Sequence, residues 1–245
     1  EPFDVVLYAA LLIMLVVALF SDGTGPDPAL GTAIGLLPAW QSWTILGLLA
    51  VAGLRDKILF LAARGEVYAP FVVAFLFGGE NVIIAAKLAC VVIWMGAATS
   101  KLNKHFPFVI STMMSNSPVI RPRAFKRRFF EHFPDDLRPG RLSRVVAHVS
   151  TAIEMLVPLV LLFSGGGWPT AVAALVMVCF HLGILSAIPM GVPLEWNVFM
   201  IFSVLALFVG HADVGIADMT NPLPLLLFAL MAGIVVAGNL VPRKI

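Results

Sequence analysis

The chain has 245 residues, 60% of them hydrophobic and 12% charged, with a mean hydropathy of +0.98. That leaves too few charges to solvate a globule and too much apolar surface to bury inside one, which excludes an ordinary soluble domain and points to a polytopic membrane protein. The formal charge is only +2, but positive charge is concentrated in one interval, so the partner it suits is an anionic lipid surface and not a nucleic acid.

A membrane-spanning helix needs about 20 predominantly apolar residues. On that criterion the expected fold is all-α: a polytopic transmembrane helix bundle of about eight spans, forming a single transmembrane domain over residues 1–245. The first span covers Val5 to Phe20 and is followed by SDGTGPDPALG, an exposed loop by its composition. The second covers Pro38 to Leu54, with Trp40 and Trp43 as interfacial anchors and Arg55 and Lys57 at its cytoplasmic end. The third, Ile58 to Phe77, is interrupted by Arg64 and Glu66 and contains Pro70, which removes a helical hydrogen bond. After Gly78 and Gly79 a long fourth helix runs from Glu80 to Lys104. Residues 105–144 form the one long polar interval, and spans Val145 to Phe163, Pro169 to Ile188, Asn197 to Gly210 and Pro222 to Val241 follow it. The chain starts at Glu1 instead of Met, and no charged, apolar, small-residue cleavage pattern precedes the first span, so no signal peptide is expected.

Eight of the sixteen Lys and Arg lie between Arg121 and Arg144, which assigns this interval to the cytoplasmic side. An even number of later crossings returns Arg243 and Lys244 to that side, so both ends are expected in the cytoplasm of a bacterial plasma membrane. Within the interval, HFPFVISTMMSN is too short to cross and reads as interfacial or re-entrant. PRAFKRRFFEHF sets Phe125, Phe129 and Phe133 four residues apart, beside Lys126, Arg127 and Arg128. That pattern predicts a short amphipathic surface helix whose Phe125 and Phe129 enter the headgroup region while its cations bind anionic lipid. A solvated basic loop kept for topology alone reads the same residues equally well. PDDLRPG closes the interval with turn residues.

Ionisable residues within spans are costly and usually face the bundle interior, which makes them the candidates for function. On the fourth helix Glu80, Lys87, Trp94 and Lys101 recur every seven residues, and His105 joins the face of Lys87 if the helix continues. Only Lys87 is deep, and its structural reading is a buried hydrogen bond or ion pair, with Glu154 as one partner to test. On the fifth helix His148, Thr151 and Glu154 step by three into one slanted stripe, and Pro158 leaves the Glu154 carbonyl without its helical donor. His148 lies close to the interface, where an exposed histidine is ordinary, whereas Glu154 at mid-span must be paired, protonated or facing water. The sixth helix carries His181 and runs into IPMGVPLEWN, where Pro189 and Pro193 are expected to end it and to bring Glu195, Trp196 and Asn197 to the interface. Such a break either lines a cavity or makes a tight turn anchored by Trp196. The candidate catalytic residues are therefore Glu154, His148, Lys87, His181 and Glu195, with no reaction attached. A haem held by His148 and His181 is conceivable but not favoured, since two isolated histidines do not specify one. Cys90 and Cys179 lie in apolar runs without CxxC or Cys/His spacing, so neither a disulfide nor a metal site is expected, and no catalytic or nucleotide motif is present.

The strings RDKILFLAARGEVY, WMGAATSKLNKHFPFVISTMMSNSP, KRRFFEHFPDDLRP and IPMGVPLEWNVFMIF resemble an uncharacterised family of actinobacterial polytopic membrane proteins, domain of unknown function 3556. Members of that family are longer, so the resemblance implies that Glu1 to Ile245 is a central portion and that flanking segments can complete a site. It implies no activity. A similarity of plan to the membrane domain of vitamin K-dependent carboxylase-like proteins rests on no motif and transfers no residue.

The function expected from these features is the binding or modification of a lipid-like or quinone-like molecule from the cytoplasmic leaflet, between the basic surface helix and the break near Glu195. Two other classes compete: a non-catalytic subunit of a larger membrane complex, with other membrane subunits as partners, and a transporter, for which an internal repeat is the missing cue.

Overall fold

A chain that must satisfy its backbone hydrogen bonds without water has few options other than helices. The computed structural model, which describes residues 2–62, 64–187 and 191–240, follows that rule. In order its helices are α1 (Pro2–Phe20), α2 (Ala39–Arg55), α3 (Lys57–Ala62), α4 (Gly65–Ala74), α5 (Glu80–Ser100), α6 (Phe106–Asn116), α7 (Arg123–Arg127), α8 (Arg141–Phe163), α9 (Gly167–Ala187), α10 (Gly191–Ser203) and α11 (Leu223–Leu240). A two-stranded antiparallel hairpin, β1 (Phe130–His132) and β2 (Asp136–Pro139), lies between α7 and α8.

Among the described residues four helices, α1, α5, α8 and α9, are long and apolar enough to cross a membrane, so the expected count of eight spans is not supported. The third expected span is two short helices. α3 stops at Ala62, Arg64 adopts a left-handed φ of 56°, and α4 starts at Gly65. A glycine is needed there because a Cβ would lie 2.3 Å from the Phe60 ring. The second, α2, has 17 residues and places Gln41 and Ser42 on its buried face, where Gln41 Oε1 accepts a hydrogen bond from Ser21 at 3.1 Å. The last two, Leu194–Val209 and Leu223–Gly238, are apolar but shorter than a full span. Pro193 does not end a helix: α10 begins at Gly191, so Pro193 falls in its first turn, where a missing N–H removes no helical bond. Pro189 lies outside the described residues.

The chain divides into two units, Glu1–Ala89 with Val214–Gly233, and Cys90–Asp213 with Ile234–Ile245. In the first, Leu11 and Met14 of α1 meet Ile45 and Leu49 of α2, and Phe60 and Val72 pack on them. Arg55 forms an ion pair with Asp4, and its guanidinium lies 4.8 Å from the Phe3 ring centroid. At the start of α5, Asn81 donates to the Thr220 hydroxyl at 2.6 Å and accepts from the Thr220 amide at 3.1 Å.

In the second unit α5 stops before Lys104. The Asn103 carboxamide oxygen accepts from the amides of His105 and Phe106 at 2.8 and 3.0 Å, which starts α6 in a new direction. His105 therefore does not continue the face of Lys87. The amphipathic helix expected over PRAFKRRFFEHF is corrected as well, because α7 has only five residues and the chain then enters the hairpin. Phe129 is 1% exposed in a core with Ile110 and Ala147, whereas Phe125 and Phe133 are 39% and 46% exposed. Two buried serines hold this core together: Ser111 donates to the Ser143 hydroxyl at 2.8 Å, and Ser143 donates to the Phe129 carbonyl at 2.6 Å. The hairpin pairs Phe130 with Pro139 and His132 with Asp136, with an irregularity between them.

Truncating the core phenylalanine should cost far more than truncating its neighbours. Phe129→Ala is expected to lose about 3–5 kcal/mol of stability, against less than about 1 kcal/mol for Phe125→Ala or Phe133→Ala at exposed positions. Thermal unfolding in detergent measures this, and three equal losses would restore the lipid-dipping helix. On the hairpin, hydrogen bonds from the Arg138 guanidinium and amide hold the Asp136 carboxyl down at about 2. A depressed carboxylate stabilises above its unfolded value and loses that contribution as pH falls through the folded one. The carboxyl carbon shift of Asp136 should therefore stay flat between about pH 5 and about pH 3, across the range in which a free aspartate titrates, and move only near 2.

Candidate functional site

The buried stripe of α8 runs Ser143, Ala147, Thr151, Glu154, Pro158 and Leu161, steps of three and four that keep one face inward. Glu154 is thus committed to the interior and is 3% exposed. A carboxylate there needs a cation, and Lys101, the residue after the last of α5, supplies it. The Lys101 ammonium also lies 5.6 Å from the Phe106 ring centroid and 5.8 Å from that of Phe180, within cation–π range of both. Its side chain keeps 21% of its surface exposed, against 4% for Glu154.

That exposed part opens onto a cavity of about 450 Å³. Lys104, Arg144 and His148 contribute polar side chains to its wall, and Phe106, Pro107 and Ala147 contribute apolar ones. Arg144 Nη2 donates to Glu131 Oε1 at 2.7 Å. Thr151 also lines the wall, but its hydroxyl donates to the Ala147 carbonyl at 2.9 Å. A second cavity of about 300 Å³ shares Lys104, Pro107 and Arg144 and adds Arg138 and Glu131. The stripe expected from His148, Thr151 and Glu154 is therefore split, with Thr151 and Glu154 buried and His148 exposed at the cavity.

His181 belongs to a different cluster. Trp94 Nε1 donates to His181 Nε2 at 3.0 Å, and an indole nitrogen can only donate, so Nε2 is the acceptor and the ring proton sits on Nδ1. Nδ1 then donates to Asn197 Oδ1 at 2.7 Å. All three side chains are at most 2% exposed, and the Phe208 ring lies 5.9 Å from Trp94. Both ring nitrogens are engaged, which leaves neither for a haem iron shared with His148. Lys87, 3% exposed, donates to the Val214 carbonyl at 2.6 Å. The ion pair considered between Lys87 and Glu154 is replaced by that of Lys101 with Glu154. Glu195 is exposed on α10, two residues before the buried Asn197. Among the described residues no three His, Cys, Asp or Glu side chains gather to hold a metal ion.

With this arrangement in view, the whole chain, residues 1–245, matches the family described as transmembrane protein of unknown function (DUF3556). The chain belongs to that family. No curated protein and no solved structure matches it.

The basic segment of this family member is partly structural. Lys126 Nζ donates to the Ser117 carbonyl at 2.8 Å, and the Arg127 guanidinium lies 5.5 Å from the Phe133 ring centroid. Arg128 and Phe125 are exposed, whereas Phe129 belongs to the core described above. Sequence reasoning missed Lys101, Lys104 and Arg144 as site residues. The seven-residue spacing of Trp94 and Lys101 put both on one face of α5, which was the available signal.

Removing one partner of a buried pair is worse when the survivor cannot reach water. Lys101→Met strands the Glu154 carboxylate and should cost about 3–5 kcal/mol. Glu154→Gln keeps an acceptor and leaves the Lys101 ammonium facing the cavity, so it should lose much less, and the double variant should regain most of the Lys101→Met loss. Detergent thermal unfolding of the three variants decides this. Equal losses from the two single changes would contradict the asymmetry.

Proposed function

We propose that this chain binds an anionic amphiphile of the membrane, with the headgroup in the cavity beside Lys101 and the acyl chains along the outer face of α8. The observation that carries the reading is the composition of that wall: Lys101, Lys104 and Arg144 beside Phe106, Pro107 and Ala147. The cavity lies at the N-terminal end of a helix long and apolar enough to span, and that helix exposes Val145, Val149, Leu156, Val160 and Phe163. A charged head and an apolar tail are what such a junction accommodates. Of the two molecule types considered from the sequence, the cations favour the lipid over the quinone, because an uncharged ring has no use for three of them. The excess of Lys and Arg between Arg121 and Arg144 supports a cytoplasmic position for this end of α8, and hence uptake from the inner leaflet of a bacterial plasma membrane.

Binding of phosphatidylglycerol to the purified chain, followed by native mass spectrometry, tests this. Each basic residue near an anionic lipid contributes about 1 kcal/mol, so Lys104→Gln with Arg144→Gln should weaken binding on the order of 30-fold at low salt. Unchanged affinity would remove the cavity from consideration. Copurification of a stoichiometric protein partner in place of lipid would favour the complex-subunit reading.

A further inference from the structure

We infer that Glu154 sets the headgroup charge this cavity accepts, selecting a phosphodiester with one negative charge over a phosphomonoester with two. This rests on the lipid-binding reading above and specifies its selectivity. The wall carries three fixed cations, and two of them already have a carboxylate: Lys101 has Glu154, and Arg144 has Glu131 at 2.7 Å. Among the described residues Lys104 makes no ion pair, so the wall presents one uncompensated positive charge. A single phosphodiester anion matches it.

A second negative charge on the ligand would stand without a counterion in the cavity, and the Glu154 carboxylate, which lies behind Lys101 and not in the wall itself, would repel it. Buried charges interact with little screening by salt, so a carboxylate that is 3% exposed acts on the cavity in a way a surface carboxylate would not. Lys101 can still contribute a hydrogen bond, because an ammonium has three donors and Glu154 does not use them all. The pair thus supplies a donor to the headgroup without supplying net charge. Replacing Glu154 by an amide converts the same lysine into a second uncompensated cation.

The experiment compares phosphatidylglycerol with phosphatidic acid, bound to the purified chain and read by native mass spectrometry. It is run at about pH 9, well above the second ionisation of a free phosphomonoester near 6. The unaltered chain should bind phosphatidylglycerol more tightly. Glu154→Gln should raise the affinity for phosphatidic acid relative to phosphatidylglycerol about fivefold, the equivalent of about 1 kcal/mol for one added charge. Lys101→Met with Glu154→Gln removes both charges and should return the original preference. If Glu154→Gln does not fold, Glu131→Gln carries the test, because it frees Arg144 of its carboxylate and should raise the same ratio. The inference is overturned by an unaltered chain that prefers phosphatidic acid, by an unchanged ratio in Glu154→Gln, or by a double variant that no longer prefers phosphatidylglycerol. Lys104→Gln separates the two levels: if it leaves both lipids unaffected, the binding reading itself fails. If it weakens both while the ratio in Glu154→Gln stays fixed, only the role of Glu154 is lost.

Discussion

A carboxylate in the interior of a membrane-spanning helix has to be neutralised, and in this chain the ion pair of Glu154 with Lys101 does so. The rest of the second unit is arranged around that requirement. The end of α5 must reach the buried stripe of α8, and the Asn103 turn then sends the chain away into α6. Phe106 and Phe180 close over the ammonium from two further segments. The cavity lies where this packing leaves 21% of the lysine side chain uncovered, so the interaction that holds the helices together also leaves part of a charged group at the cavity wall.

The polar groups just described fall into two kinds, buried sets that close on themselves and exposed groups at a cavity. Trp94 and Asn197 between them engage both ring nitrogens of His181, and the Ser111 and Ser143 hydroxyls are engaged with one another and the Phe129 carbonyl. In low dielectric such closed sets are rigid and specify one packing, because any alternative strands a donor or acceptor. The bidentate contact of Asn81 with Thr220 does the same in the first unit. Lys104 and His148 differ, since they stand at an open cavity and not in a closed set. An unsaturated polar surface beside apolar walls is where a ligand gains interactions that the protein has not already made.

The basic interval illustrates competition between local pattern and core. Phenylalanines at a spacing of four are compatible with a helix, and Lys126 to Arg128 supply its polar side. Burial of Phe129 against Ile110 and Ala147, together with the pairing of β1 and β2, outweighs the gain of extending a five-residue helix. The hairpin then carries its own electrostatic support in the Asp136 and Arg138 contact, and it places Glu131 within reach of Arg144. Through that contact the hairpin also determines how much positive charge the cavity retains.

From residue order alone, the membrane class, the helical nature of α1, α5, α8 and α9, and the need of Glu154 for a partner were legible, because apolar runs of sufficient length and a carboxyl at mid-span are one-dimensional signals. Membership of the family was legible for the same reason, as whole strings carry it. The count of crossings was not: a broken run such as Ile58 to Phe77 matches a span in composition, and only the packing of Gly65 on Phe60 shows that the backbone turns there. Nor was the partner of Glu154. Lys87 and Lys101 recur in seven-residue steps on one face of the helix expected from Glu80 to Lys104, and depth along that helix favours Lys87 as the partner. What distinguishes them is which carbonyl or carboxylate the folded chain brings within about 3 Å, the reach of a charged hydrogen bond. That is a property of tertiary contact, because residues 53 positions apart in the chain become neighbours only when the helices that carry them pack.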